Sequence, residues 1–183
     1  MLEKRILPEV SLDGFGFNKG VYPPIFFERG FTVKDAEKME VYFAGRDCTN
    51  GFRNRICFLV RDLDNRLVGV VGRNKFSEEE YYNYWAKRLG LKDISREEQI
   101  REIENQNCKY KKYYNLDGFK SGCALYNANR LVNSSKEEVF IVEGPFDVMK
   151  MVLKHGYKNT VGMFGYSLSK GQLYQLYQLY ENV

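Results

Sequence analysis

The clearest pattern along the chain is a pair of apolar runs. Arg55–Arg61 reads RICFLVR and Leu67–Gly72 reads LVGVVG, with Asp62, Leu63, Asp64 and Asn65 between them. Aliphatic and aromatic runs separated by turn residues predict a two-stranded hairpin. Upstream, Ile25–Arg29 predicts a helical turn stopped by Gly30. Thr32, with Asp35 three residues on, predicts the capped start of a short helix reaching about Met39. Val41–Ala44 reads as a strand. The first 25 residues, broken by Gly14, Gly16, Gly20, Pro23 and Pro24, predict an irregular lead-in with one short strand at most.

After the hairpin the polar positions dominate. Ser77-Glu78-Glu79-Glu80 and Ser95-Arg96-Glu97-Glu98 are capping boxes, predicting charged helices that end near Gly90 and Asn107. Lys109–Lys120 is basic and aromatic and reads as extended or loop, and Gly122–Leu131 reads as helical. From Glu138 the period changes again. Val139–Val142 is a short apolar strand, Glu143-Gly144 follows, and Pro145 suits the first turn of a helix closed by His155-Gly156. Val148, Met151 and Val152 give that helix a buried face. Thr160–Phe164 is a second strand, Gly165–Ser169 a turn and Gln172–Glu181 a last helix. Strand–helix–strand–helix order implies a parallel sheet. The final QLYQLYQLY has a period of three, which drifts around a helix and predicts wide burial.

Composition narrows the class. Of 183 residues, 44% are hydrophobic and 28% charged, as in a globular protein. No apolar run reaches the roughly 18 residues of a membrane span, and the charged start, with Glu3, Lys4, Arg5 and Glu9, is unlike a secretory signal. No membrane partner is expected, and the location expected is cytoplasmic. Cys48, Cys57, Cys108 and Cys123 form no C-x-x-C pair, and His155 is the single histidine. A zinc site in this chain and a Ser-His-Asp triad are therefore not expected; the cysteines read as reduced thiols.

Charge adds the first functional hint. Arg46–Lys75 holds seven basic residues against three acids, and Lys109–Arg130 five against one, within a chain of net charge +4. Basic segments interleaved with aromatics suit phosphate backbones and stacked bases; a solvated face is the plainer reading.

The candidate chemistry lies at the end of the late strand. Active sites of open α/β sheets gather at the carboxyl edge of the strands. Glu143 sits there, and a carboxylate buried at that edge would need a partner or a metal. Gly144 permits close approach of backbone or ligand. Asp147, on the first helical turn, reads equally as a ligand to a metal-linked water or as an acid interacting with the helix dipole.

At this point the residues resemble a known family. VFIVEGPFDVMKMVLKHGYKNTVGMFG, Val139–Gly165, is similar to the first half of a TOPRIM domain, shared by primases, type IA and II topoisomerases and some nucleases. FRNRICFLVRDLDNRLVGVVGR, Phe52–Arg73, resembles a segment of bacterial and bacteriophage DnaG-type primases, with Arg55, Phe58, Arg61, Asp62, Gly69, Gly72 and Arg73 in place. Lys112-Tyr113-Tyr114-Asn115, Leu125-Tyr126-Asn127 and Glu28-Arg29-Gly30-Phe31-Thr32 resemble further primase motifs. The resemblance runs from roughly Phe26 to Val183.

The resemblance implies an α+β N-terminal lobe over 1–135, with a helical insert at 77–107, joined to the start of an α/β TOPRIM lobe over 136–183 that stops before the Asp-x-Asp strand. It implies a DNA-directed RNA polymerase, a nucleotidyltransferase making short RNA primers with Mg2+ (or Mn2+). Glu143 would be the catalytic carboxylate and, with Asp147, a metal ligand; Gly144 would support the turn. Arg55, Arg73, Lys112, Tyr113 and Arg61 would face template, nascent RNA or nucleotide phosphates. For Arg61 a pairing with Asp62 or Asp64 is the alternative, and for Tyr113 a core ring; Tyr114, Trp85 and Tyr81–Tyr84 read as packing. Implied partners are single-stranded DNA, ribonucleoside triphosphates, a replicative helicase and a polypeptide completing the TOPRIM domain. Lack of a zinc-binding domain and the divergent insert would suit a bacteriophage, with the host cytoplasm as location. Two other functions stay open: another TOPRIM enzyme, nuclease- or topoisomerase-like, and a non-catalytic single-strand-binding module.

Overall fold

The computed structural model describes residues 17–18, 20–45, 51–132 and 138–181. The expected lead-in before Phe17, Arg46, Asp47, Cys48 and the boundary drawn at 135 lie outside the described residues. The first part of the chain builds one antiparallel sheet in the order β1-β2-β3-β4-β5: Phe17–Asn18, Val41–Ala44, Arg55–Arg61, Leu67–Asn74 and Tyr113–Asn115. β3 and β4 are the apolar hairpin and are buried along nearly their whole length, which is why they read as continuous rather than alternating runs. Their turn is built by Asp62, whose Oδ1 accepts from the amides of Asp64 (3.1 Å) and Arg66 (2.9 Å).

Two helices, α1 (Pro24–Glu28) and α2 (Val33–Lys38), cover one face of this sheet. The capping box expected at Thr32 is present: Thr32 Oγ1 accepts from the Asp35 amide (3.2 Å), and Asp35 accepts from the Thr32 amide (2.9 Å). Both later capping boxes are also present, opening α3 (Glu78–Leu89) and α4 (Arg96–Asn105). These two helices, inserted between β4 and β5, carry a small core of their own around Tyr82, Ala86 and Ile103.

The second part is a parallel pair, β6 (Phe140–Val142) and β7 (Thr160–Gly162), with α5 (Pro145–Lys154) between them and α6 (Lys170–Glu181) after them. The whole is an α+β lobe followed by a small α/β unit with a two-stranded parallel sheet. The two share one core. Phe146 of α5 packs against Phe58 of β3 (ring centroids 5.0 Å) and against Phe31 (5.8 Å), with the Arg29 guanidinium 4.7 Å from its ring centre. Lys154 pairs with Asp35 at 3.3 Å across the same junction.

Two expectations are corrected. Gly122–Leu131 is not a helix. It forms two 3-10 turns, Ser121–Cys123 and Ala128–Leu131, around an extended Ala124–Tyr126. Tyr126 there exchanges both backbone hydrogen bonds with Gly162 of β7 (2.9 and 3.1 Å), and Asn127 adopts φ 71°; the backbone groups a helix would need are taken by the sheet. Nor is α6 widely buried. Gln172, Gln175, Leu176 and Leu179 face inward, while Leu173, Tyr177 and Tyr180 are exposed. The inward glutamines are satisfied. Gln172 Nε2 donates to the carbonyls of Met163 (2.6 Å), Ser121 (3.0 Å) and Ala124 (3.0 Å), and Gln175 Oε1 accepts from the Leu125 amide (2.8 Å).

Candidate active-site groove

A groove of about 200 Å³ runs where the edge of the antiparallel sheet meets the strand-to-helix turn of the parallel pair. Its lining includes Lys112, Tyr113 and Asn115 on one wall and Glu143, Gly144, Asp147 and Tyr166 on the other. The first wall is set by β-pairing: Arg73 lies opposite Tyr113, and Val71 opposite Asn115. Arg73 Nη1 donates to the Tyr113 hydroxyl (3.1 Å), and its guanidinium carbon lies 5.0 Å from the Tyr113 ring centre. Arg73 Nε is buried and has no acceptor among the described residues.

The second wall forms because β6 ends at Val142 and the chain must turn into α5. Glu143 is exposed at that strand end rather than buried, so the burial argument for it is corrected: it faces solvent in the groove. The carbonyl of Gly144 accepts from the Asp147 and Val148 amides (3.1 Å each), the first bonds of α5. A Cβ placed on Gly144 would lie 3.6 Å from the Tyr113 hydroxyl and 3.8 Å from Asp147 Oδ2, so those two groups flank it. The tighter approach is at Gly162: a Cβ there would lie 3.1 Å from Val148 and 3.3 Å from the Gly144 carbonyl carbon. Gly162, absent from the sequence-based site, is what lets β7 lie against the turn that carries Glu143.

The structure therefore gathers Lys112, Tyr113, Glu143, Gly144 and Asp147, with Arg73 beside Tyr113. It does not gather Arg55 or Arg61. Arg55 is only 7% exposed, which corrects its placement on a basic face. Its Nε donates to the Gly51 carbonyl (3.0 Å) and its Nη1 to those of Lys111 (2.9 Å) and Gly72 (3.3 Å). Burial pulls its guanidinium below the usual pKa. Arg61 pairs neither with Asp62 nor with Asp64. It makes a two-pronged contact with Glu40, Nη2 to Oε1 at 2.7 Å and Nε to Oε2 at 2.9 Å. Asp62 holds Arg66 instead. Tyr113 is 39% exposed and lines the groove rather than the core. Trp85, Tyr81 and Tyr84 pack with Tyr110 and Phe76 in and around the insert, and Tyr114 against Phe52.

Glu143 and Asp147 have no ion-pair partner among the described residues, and no cluster of three or more His, Cys, Asp or Glu side chains forms there. Two unpaired carboxylates suit a hard divalent cation that keeps several of its waters.

Lys112, just before the edge strand β5, and the strand-end carboxylate Glu143 thus lie on opposite walls of one groove. No protein-family model matches the chain, and no curated protein does. Among solved structures it is similar to the Escherichia coli primase catalytic core, with TM-score 0.54 and 19% identity, over 85% of this chain and 51% of that one. It is similar to a DnaG primase catalytic domain bound to single-stranded DNA (TM-score 0.59, 18% identity, 89% and 54% covered). It is also similar to the RNA polymerase domain of Mycobacterium tuberculosis DnaG in complex with double-stranded DNA (0.59, 17%, 87% and 52%). The chain has a fold similar to part of these catalytic cores and spans about half their length.

Proposed function

We propose that the chain is the front portion of a DnaG-type primase catalytic core, a nucleotidyltransferase that makes short RNA primers on single-stranded DNA. The observation that carries this reading is the groove itself, which sets Lys112 and the Arg73–Tyr113 pair opposite Glu143 and Asp147. Joining nucleotides requires neutralisation of phosphate charge on one side and activation of a hydroxyl on the other. Lys112 and Arg73 supply fixed positive charge for the first. Glu143 and Asp147 would hold Mg2+ or Mn2+, which supplies Lewis-acid polarisation and a more acidic hydroxyl. Gly144 keeps the turn open between them. Arg55 serves the same wall indirectly by clamping the carbonyls that hold β4 and the segment entering β5 in place.

The domain division near 135, the ribonucleoside triphosphates, the helicase, the completing polypeptide with its further acidic ligands, bacteriophage origin and cytoplasmic location belong to the same proposal. The test is primer synthesis on single-stranded DNA with labelled ribonucleotides and Mg2+. Synthesis lost in Glu143→Gln supports it. Strand binding without synthesis by the unaltered chain favours the single-strand-binding module, which the two-carboxylate set also accommodates. Strand cleavage in place of synthesis would favour another TOPRIM activity.

A further inference from the structure

The most exposed large apolar or aromatic side chain among the described residues is Tyr166, at 91%, and it lies on the lip of the groove. Its loop is held at both ends. Phe164, at φ 58°, packs edge-on against Phe119 (5.9 Å) and near Tyr126 (6.4 Å). On the other side Ser169 Oγ donates to the Gly122 carbonyl and accepts from the Gln172 amide (3.2 Å). Gln172 ties the Met163 carbonyl to the same 3-10 segment. Gly165, next to Tyr166, has open space where a Cβ would stand. A fixed loop thus presents a bare aromatic ring to solvent beside Lys112, Asn115 and the two carboxylates. The groove holds charge for a phosphate; of the aromatic rings in its lining, Phe164 is packed against Phe119 and near Tyr126, which leaves Tyr113 and Tyr166 to meet a base. Tyr113 is already engaged by Arg73.

We propose that Tyr166 is a stacking platform for a nucleobase entering the groove. The base belongs either to a single strand or to a free nucleotide, and the π-face is the chemistry common to both. Stacking on an exposed ring tolerates any base and adds to phosphate attraction. The proposal rests on the nucleic-acid reading of the groove.

The experiment measures binding by the unaltered chain, Tyr166→Ala and Tyr166→Trp to two ligand pairs, with Mg2+ present. One pair is a short oligothymidylate and the same backbone made of abasic sites; the other is ATP and ribose 5-triphosphate. In at least one pair, Tyr166→Ala should weaken the base-containing ligand by about 5- to 100-fold and leave its baseless counterpart unchanged, while Tyr166→Trp binds as well as the unaltered chain. The pair that responds identifies the source of the base. Circular dichroism controls for folding, which an exposed side chain should not affect. Equal effects on base-containing and baseless ligands, or none in either pair, overturn the proposal; the second result would leave Tyr166 to a protein partner. If the unaltered chain binds none of the four ligands, the nucleic-acid reading fails, and this proposal with it.

Discussion

Glu40 shows how one residue can hold a junction. It occupies the left-handed region (φ 53°) between α2 and β2, where its carboxylate meets Arg61 and lies 3.7 Å from Arg130. Hydrogen bonding from Arg61 is the largest influence on it and holds its pKa below the usual carboxylate value, against the opposing effect of burial. Because the folded pKa is depressed, the stabilisation is present above the unfolded pKa of about 4.3 and is lost as pH falls through the lower folded value. Urea denaturation at pH 7 and pH 3 should show a smaller acid-induced loss in Glu40→Gln than in the unaltered chain. At pH 7 the substitution should cost on the order of 1 kcal/mol, since both side chains remain partly solvated. At the same scale, Lys112→Ala should reduce the salt dependence of single-strand binding by about one phosphate contact, whereas Arg61→Ala, a charge committed to Glu40, should leave that slope unchanged. Anisotropy titrations at several salt concentrations would check both.

Among the elements, α6 is the least obvious. Its triplet repeat gives a mixed inward face, on which Leu176 and Leu179 join the core while two glutamine amides and a glycine make the close polar and backbone contacts. A Cβ at Gly171 would lie 2.6 Å from the Gly122 carbonyl oxygen and 3.1 Å from Cys123 Cα. These are backbone atoms that cannot swing away, so Gly171→Ala should destabilise the chain by about 1–3 kcal/mol despite the helix-favouring nature of alanine. Gln172→Leu should cost about 2–4 kcal/mol by removing the two amide hydrogens shared among the carbonyls of Met163, Ala124 and Ser121. Thermal denaturation reads both. The α3–α4 insert is the opposite case: its boundaries were legible because capping boxes and a Gly90 C-cap at φ 71° are local chemistry.

In the whole molecule the two lobes are joined by an aromatic cluster. Phe146 belongs to α5 and is buried against β3, α1 and the loop before α2. Phe146→Ala should cost about 3–5 kcal/mol and, because it separates the groove walls, lower strand affinity as well. Phe146→Leu should restore most of both. Stability and binding measured on the same preparations would show whether the two properties move together.

The sequence alone determined the local elements: the RICFLVR and LVGVVG hairpin, the three capping boxes, and the strand, Glu143-Gly144 and helix of the second lobe. Each depends on residues within a turn or two of one another. It also named Lys112, Tyr113, Glu143, Gly144 and Asp147, which the fold brings to one groove. Tertiary structure alone decided the rest. It turned Arg55 inward onto backbone carbonyls, gave Arg61 to Glu40, drew Tyr126 into β7 in place of a helix, and left Tyr166 in solvent. Apart from the Gly51 carbonyl near Arg55, those outcomes depend on partners 17 to 56 positions away along the chain or, for Tyr166, on anchors to other segments, and no spacing along the chain encodes which distant carbonyl or carboxylate a side chain will meet.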